Sequence, residues 1–225
     1  KPLEKVFGSK VADYILKMHE SHGVNFITED EAETFEKEDD MITRIITKNK
    51  RVIDTDLVIA AIGVRPNLNF KQKDLGTHDL IDVNTYQETK FKDVYAGGDI
   101  TRFPYLDEMI HVDHWEVAYH AGIHIAKNIL SDKKVPNDII PYFWSDQYDQ
   151  TFEYLGHVTN TANTYVRQYE EPEKFSVAYV DDQHKVRAVL FANHAEKRSD
   201  VESFLKSEKP FDEKHFIDHT HKLLD

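Results

Sequence analysis

The stretch Val94-Tyr95-Ala96-Gly97-Gly98-Asp99 decides the fold of this 225-residue sequence. Val94-Tyr95-Ala96 predicts a short buried strand, and two glycines and a carboxylate follow at its C-terminal end. In open α/β sheets, ligands bind outside the carboxyl ends of the strands. Glycine lets a ligand approach the backbone closely, and the Asp99 carboxylate can accept hydrogen bonds from sugar-like hydroxyls. A strand, a tight turn and an aspartate helix cap explain the same six residues, so both interpretations remain open.

The residues on either side of this stretch indicate an α/β architecture. Residues 57–62 form a continuous apolar run that ends in Gly63, which is typical of a strand buried on both faces. Pro66-Asn67 then breaks the chain. Downstream, residues 113–130 predict a helix with an apolar stripe and an adjacent stripe of small residues, formed by Val117, Ala121 and Ile125 and by Ala118, Gly122 and Ala126. Such a helix suits close packing on a sheet.

The predicted helix begins at Asp113-His114-Trp115-Glu116. Asp113, with Glu116 three residues later, resembles a capping box. A helix N-terminus offers unpaired N–H groups and the positive end of the dipole, which stabilise an electron-rich ligand atom by ~0.3–1 kcal/mol. His114 and Trp115 lie at that end, where they either contact such a ligand or serve only as packing residues.

A cluster of bulky residues marks a domain junction at Pro141-Tyr142-Phe143-Trp144-Ser145-Asp146. The cluster begins at Pro141, the last residue of a predicted linker over residues 131–141 that also contains Pro136. Aromatic rings at a junction can stack on a planar cofactor. They can equally form an apolar plug between domains, and the sequence leaves both alternatives open.

After the junction the pattern becomes that of an α+β domain. Antiparallel strands are predicted over residues 152–158, 164–169, 175–180 and 186–193. A closing helix is predicted over residues 196–206, with Val201, Phe204 and Leu205 facing inward. We expect the tail from residue 207 to be peripheral.

The N-terminal part predicts one helix followed by short strands. The helix covers residues 9–22, with Val11, Ile15 and Met18 on one face. Strands are predicted over residues 24–28, 31–38, 41–47 and 51–53, the last three as a β-meander.

Composition excludes several classes of function. The 41 acidic residues exceed the 28 basic ones, and the net charge of -13 argues against a surface for nucleic acid or for an anionic membrane. The sequence has no cysteine, so this chain has neither disulfides nor thiolate nucleophiles. No apolar run reaches the ~18 residues that a membrane span needs. No signal peptide is recognisable, and we expect a cytoplasmic protein.

The histidines, 13 in number, raise the question of a metal site. Helix-compatible spacing joins His111 with His114, His120 with His124, and His215 with His219 and His221. No carboxylate or cysteine completes a convincing ligand set around them. We therefore predict no metal site, and no glycine-rich phosphate-binding motif of known type is present.

Four motifs follow one another along the chain: Ile62-Gly63-Val64-Arg65-Pro66-Asn67, the stretch 94–99, His114-Trp115 at the start of a helix, and Phe143-Trp144-Ser145-Asp146. In this order they resemble the flavoprotein reductases of the pyridine nucleotide-disulfide oxidoreductase superfamily. Within it, the sequence is most similar to the branch of apoptosis-inducing factor and the oxygenase-coupled NADH–ferredoxin reductases. The resemblance extends from Pro2 to about Leu205.

The resemblance implies an α/β fold with an α+β C-terminal domain. Partial Rossmann-like segments for FAD and NAD(P) precede an antiparallel sheet with a helix. Residues 1–65 are then the C-terminal part of an NAD(P)H-binding domain, and residues 66–139 the C-terminal segment of an FAD-binding domain. Residues 140–206 form the α+β C-terminal domain, with a homodimer through this domain as one expectation, and residues 207–225 form a tail.

The resemblance also implies a cofactor site without a catalytic side chain. Asp99 hydrogen-bonds the ribityl chain of FAD, and the helix that opens at Asp113 points at the pyrimidine edge of the flavin. His114 and Trp115 lie beside the isoalloxazine ring, and Trp144 lies near the nicotinamide or the flavin face. The implied cofactor-binding residues are Gly63, Gly97, Gly98, Asp99, Asp113, His114, Trp115 and Trp144.

The implied activity is that of an FAD-dependent NAD(P)H oxidoreductase. Hydride passes from NAD(P)H directly to flavin, without a dithiol relay, and electrons continue to an acceptor protein. The glycine fingerprints for FAD and for the nicotinamide nucleotide belong N-terminal to Lys1, so we expect a C-terminal fragment that is inactive alone.

Two other functions remain as alternatives. The first is a non-catalytic interaction or dimerisation module, in which residues 140–206 bind a partner or a second copy. The coding sequence upstream of Lys1 discriminates this module from the enzyme. The second, a metal-dependent hydrolase built on the histidines, requires bound zinc.

Overall fold

The computed structural model describes residues 1–68, 76, 80–158, 163–207 and 209–223. The chain folds into two compact units, Lys1–Arg65 and Pro66–Asp225. Both contain helices and sheets, which confirms the predicted α/β class. None of the described helices combines the length and the apolar character that crossing a membrane requires.

The Lys1–Arg65 unit contains two helices and a three-stranded antiparallel sheet. The helices are α1 (Glu4–Phe7) and α2 (Ser9–Ser21), and the strands are β1 (Ala32–Glu38), β2 (Met41–Thr47) and β3 (Val52–Asp54). Val11, Ala12 and Ile15 bury one face of α2. Asp39 and Asp40 adopt φ values of 49° and 65°, the left-handed conformation of tight hairpin turns. The predicted helix and β-meander are thus confirmed.

Two predicted strands of this unit do not form. Residues 24–28 are coil, and residues 57–62 are exposed coil, with Leu57, Ile59 and Ile62 at 74%, 82% and 95% exposure. A run of apolar residues becomes a buried strand only where neighbouring strands satisfy its backbone N–H and C=O groups. No strand among the described residues pairs with either segment.

The first part of the Pro66–Asp225 unit is a small mixed sheet with one long helix. The strands are β4 (Ile81–Asp82), β5 (Thr101–Tyr105) and β6 (Glu108–Ile110), and the helix is α3 (Trp115–Leu130). Strand β5 pairs parallel with β4 and antiparallel with β6. The predicted strand at residues 94–96 is only an isolated bridge between Tyr95 and Glu88. This segment pairs with the preceding loop, through hydrogen bonds from Thr89 N–H to Val94 O and from Ala96 N–H to Gln87 O, instead of joining the sheet.

The second part is a five-stranded antiparallel sheet in the order β7-β8-β11-β10-β9. Its elements are β7 (Tyr142–Gln147), β8 (Gln150–Gly156), β9 (Thr164–Gln168), β10 (Phe175–Val180), β11 (Val186–Ala192), α4 (Arg198–Ser207) and α5 (Glu213–Ile217). The four strands and the helix predicted for this region are confirmed. The aromatic cluster at the junction forms an additional edge strand, β7.

The tail after residue 207 is part of the core of this sheet, so the prediction of a peripheral tail is wrong. Phe216 and Leu223 are 6% and 5% exposed and pack with Val201 and Leu205 of α4. The buried Arg167 guanidinium of β9 donates to the carbonyl oxygens of Phe216 and His221. Long-range burial of two apolar side chains therefore orders a segment whose polar composition suggested fraying.

Candidate functional site

The Gly97-Gly98-Asp99 segment forms a tight turn directly before β5. Gly98 has a φ of 83°. Its carbonyl oxygen accepts hydrogen bonds from the Thr101 N–H at 3.0 Å and from Thr101 Oγ1 at 2.8 Å. Asp99 is exposed in this turn, and its carboxylate is accessible to a ligand that carries hydroxyl groups.

Packing of α3 against the turn explains both glycines. A Cβ atom on Gly97 would lie 2.8 Å from Ile125 Cδ1 and 3.3 Å from Ala121 Cβ, and one on Gly98 would lie 3.5 Å from Ala118 Cβ. Ala118, Ala121 and Ile125 of α3 are therefore in direct contact with the turn. The glycines are needed for this contact, whether or not a ligand also approaches them.

The N-terminus of α3 has no side-chain cap. His114 occupies the N-cap position and makes no capping hydrogen bond. The predicted capping box of Asp113 and Glu116 is wrong, because both carboxylates have other partners. Asp113 Oδ1 lies 2.9 Å from His111 Nε2, and Glu116 Oε1 lies 2.5 Å from Arg198 Nη1. The first N–H groups of the helix are thus left for an electron-rich ligand atom.

His114 connects the helix to the C-terminal sheet. Its ring centroid lies 4.8 Å from that of Phe143, and its Nδ1 is buried without a hydrogen-bond partner among the described residues. Burial, with a smaller contribution from His157, lowers the pKa of His114, and Asp113 and Asp99 oppose this change. The imidazole is therefore neutral at pH 7, and its orphaned nitrogen is a candidate ligand contact.

Strand β7 presents its aromatic residues on two faces. Phe143 lies against His114 and stacks on Tyr154 at 5.2 Å. Trp144 is 50% exposed and stacks on Tyr142 at 5.9 Å. The structure thus places Phe143, rather than Trp144, in contact with the N-terminus of α3.

The predicted site residues fall into two groups. Seven of them lie in the Pro66–Asp225 unit, where Asp99, Asp113 and His114 are close enough to interact electrostatically. Trp115 is 71% exposed and stacks on Tyr119 at 5.4 Å. Gly63 lies in the Lys1–Arg65 unit, exposed and with a φ of 104°.

The sequence did not indicate His157 and Arg198, and it marked His111 only as one of the paired histidines and Phe143 only as part of the aromatic cluster. The position of His111, two residues before Asp113, is a local signal for a contact between their side chains. The alternation of side chains along a strand would have placed Phe143 and Trp144 on opposite faces. Across the part of the chain that the structure describes, no group of three or more histidine, aspartate and glutamate residues could hold a metal ion.

Two family models match the sequence. One, described as pyridine nucleotide-disulphide oxidoreductase, matches residues 1–122. The other, described as reductase C-terminal, matches residues 142–225. Together they cover the Gly97-Gly98-Asp99 turn, the N-terminal half of α3 and the five-stranded sheet.

Related proteins are longer than this chain. Peroxisomal monodehydroascorbate reductase 4 of Arabidopsis thaliana is 26% identical over 193 residues, which are 84% of this chain and 39% of the relative. The ferredoxin–NAD(+) reductase component of the p-cumate 2,3-dioxygenase system of Pseudomonas putida is 25% identical over 174 residues, which are 77% of this chain and 43% of the relative. The chain therefore spans less than half the length of these two proteins.

Solved structures of similar fold agree with these matches. The covalent complex of putidaredoxin reductase and putidaredoxin gives a TM-score of 0.88 at 27% identity, covering 98% of this chain and 54% of the other. A ferredoxin reductase from Rhodopseudomonas palustris gives a TM-score of 0.88 at 22% identity, covering 98% of this chain and 55% of the other.

Proposed function

The chain belongs to the pyridine nucleotide-disulphide oxidoreductase family, and from this premise we propose that it is the C-terminal part of an FAD-dependent NAD(P)H oxidoreductase. In this proposal, hydride passes from NAD(P)H to the flavin, and the electrons continue to a separate acceptor. We further propose that glycine-rich segments outside this chain bind the adenosine phosphates of both nucleotides.

The observation that carries the proposal is the uncapped N-terminus of α3 beside the Gly97-Gly98-Asp99 turn. Its N–H groups and dipole suit the electron-rich pyrimidine edge of a flavin. The exposed carboxylate of Asp99 suits the ribityl hydroxyls. The buried Nδ1 of His114 has no hydrogen-bond partner among the described residues and is a further polar atom with which a ligand can pair.

FAD supplies the redox chemistry when bound, since its ring system accepts a hydride and releases electrons. The residues of this chain bind and orient it. Asp99 accepts hydrogen bonds from hydroxyl groups, and the first N–H groups of α3 stabilise negative charge on an adjacent ring edge. His114 and Phe143 form a packed wall at 4.8 Å, which excludes water from one side of the site.

A protein acceptor is part of the proposal. Support comes from the structural neighbour that was solved as a complex of a reductase with putidaredoxin. Trp115, which is 71% exposed, offers aromatic contact surface. A small-molecule acceptor is the competing outcome, as the name monodehydroascorbate reductase indicates for the plant relative. Self-association through residues 140–206 stays a prediction, and sedimentation equilibrium tests it.

Retention of FAD tests the proposed function. We expect the 225-residue chain, mixed with FAD and desalted, to be colourless, and a polypeptide that includes upstream coding sequence to keep a flavin band at ~450 nm. Stoichiometric FAD on the short chain would contradict an incomplete site. A longer polypeptide that neither binds FAD nor oxidises NADH or NADPH would contradict the proposed enzymatic function and favour the non-catalytic interaction module.

A further inference from the structure

His111 lies between the two segments that the proposed function assigns to FAD. It follows β6 and precedes α3 by a few residues, and its side chain is 25% exposed. Its Nδ1 lies 3.0 Å from the backbone oxygen of Thr101, and its Nε2 lies 2.9 Å from Asp113 Oδ1. One imidazole ring thus contacts the strand that leaves the glycine turn and the residue that leads into α3.

These contacts form part of a continuous series of hydrogen bonds. The Gly98 carbonyl accepts from Thr101 N–H and Oγ1, and the Thr101 carbonyl accepts from His111. His111 then reaches Asp113, which directly precedes the N-cap residue His114. Thr101 is 2% exposed, so water competes little for its carbonyl, and the position of the ring is well defined.

The chemistry of the ring suits a double contact. A backbone carbonyl and a carboxylate lie on opposite sides of the ring, and an imidazole carries its two nitrogens on one flat, rigid side chain that reaches both. Glutamine offers donors from only one nitrogen at the end of a flexible chain. Phenylalanine keeps the flat shape but has no donor.

We propose that His111 is a positioning residue that fixes the Gly97-Gly98-Asp99 turn relative to the N-terminus of α3. The two segments then form a single cofactor site. The role of the site as an FAD site rests on the proposed function, whereas the coupling of the two segments through His111 does not.

Hydrogen exchange of the chain itself tests the coupling without any cofactor. In His111→Gln and His111→Phe, we expect the amides of Thr101 and Ala118, which donate to the Gly98 and His114 carbonyls, to exchange several-fold faster together. His120→Gln is the matched control, because His120 is an exposed histidine on α3 that lies 3.5 Å from Glu116 and packs edge-on against Tyr119 at 5.4 Å. Exchange that is unchanged, or faster in only one of the two segments, would overturn the proposal.

The FAD-bound longer polypeptide tests the consequence for the site. We expect His111→Gln to bind FAD about tenfold more weakly. Its flavin midpoint potential should become more negative by ~30 mV, which corresponds to a tenfold greater loss of affinity for reduced than for oxidised FAD, because displacement of α3 removes stabilisation of the charge that reduction adds. A merely structural role would lower the melting temperature and leave the potential unchanged.

The outcomes separate this inference from the proposed function. A wild-type longer polypeptide that fails to bind FAD contradicts the proposed function, and the exchange experiment then decides the coupling alone. A wild-type protein that binds FAD, with His111→Gln equal to it in affinity and potential, overturns the role of His111 and leaves the proposed function intact.

Discussion

Glu116 in the first turn of α3 and Arg198 at the start of α4 form an ion pair with 2.5 Å between Oε1 and Nη1. The Glu116 side chain is only 10% exposed. The same guanidinium lies 4.4 Å from the ring centroid of Tyr142 and donates from Nε to Glu202 at 2.7 Å. One arginine therefore links the helix of the candidate site to the strand and helix of the C-terminal sheet.

Removal of Arg198 should destabilise the Pro66–Asp225 unit. Arg198→Met leaves a mostly buried carboxylate without its cation, which costs about 1–3 kcal/mol. Urea unfolding measures the loss. Lys197→Met is the control and should change stability by less than about 0.5 kcal/mol, because Lys197 is 77% exposed and 3.9 Å from Asp200. Equal stability of the two variants would show that the pair contributes nothing.

Substitution of Gly97 should be costly for a steric reason. The added methyl of Gly97→Ala meets Ile125 Cδ1 at 2.8 Å, and such overpacking costs about 1–3 kcal/mol. Ile125→Ala makes room, so the double variant should lose less stability than the sum of the single variants. Gly98→Ala is strained by its φ of 83°, and Ile125→Ala should not rescue it. Thermal unfolding of the variants distinguishes the two mechanisms.

Asp99 is expected to matter for cofactor retention and little for folding, because its side chain is exposed. In the longer polypeptide, Asp99→Ala should weaken FAD binding about tenfold, since a hydrogen bond to a charged group contributes about 1.5 kcal/mol or more. Asp99→Asn should do less harm. FAD titration followed by fluorescence measures both, with the exposed linker variant Asp132→Ala as control. If Asp99→Ala binds FAD with unchanged affinity, Asp99 has only a structural role in the turn.

Phe143 and Trp144 should have separable effects because they occupy opposite faces of β7. Phe143→Ala removes a ring packed on His114 and Tyr154 and should cost about 3 kcal/mol. Trp144 is half exposed, so Trp144→Ala should leave the melting temperature nearly unchanged. It should slow flavin reduction by NADH several-fold, equivalent to about 0.5–1.5 kcal/mol of lost stacking. If stopped-flow measurements show that NADH reduces the flavin of Trp144→Ala at the wild-type rate, Trp144 is not part of the site.

His194 should make the stability of the chain sensitive to acid. Burial lowers the pKa of His194 to about 4, from the usual 6.5 or so of an unfolded histidine. Between these values the unfolded state binds more protons, so stability is present above about pH 6.5 and is lost as pH falls towards 4. Ser176 Oγ lies 2.8 Å from His194 Nε2 in the folded state.

Melting temperatures measured from pH 7 to pH 4 test this assignment. The wild-type chain should lose more stability than His194→Gln over this range, so the difference between them should narrow with acid. His215→Gln serves as a control. Parallel curves for wild type and His194→Gln would assign the acid sensitivity to other groups.

The sequence by itself determined the elements whose signal is local. The 3.6-residue period identified the buried face of α2, and the residue pattern identified β1, β2 and strands β8 to β11 of the C-terminal sheet. The apolar and small positions of α3 predicted close packing on a sheet, and the structure shows Ala118, Ala121 and Ile125 packed against the Gly97-Gly98 turn. These features depend on the size and the periodicity of the residues, and both can be read from a short stretch of sequence alone.

Only the tertiary structure decided which partners the polar and apolar groups have. Asp113 and Glu116 have the spacing of a capping box, yet His111 and Arg198 take their carboxylates. Residues 57–62 have the pattern of a buried strand, yet no described strand satisfies their backbone. A charged or apolar group pairs with groups that lie near it in space. Residues that are distant in sequence come close only when the chain has folded, so the sequence pattern alone does not identify these partners.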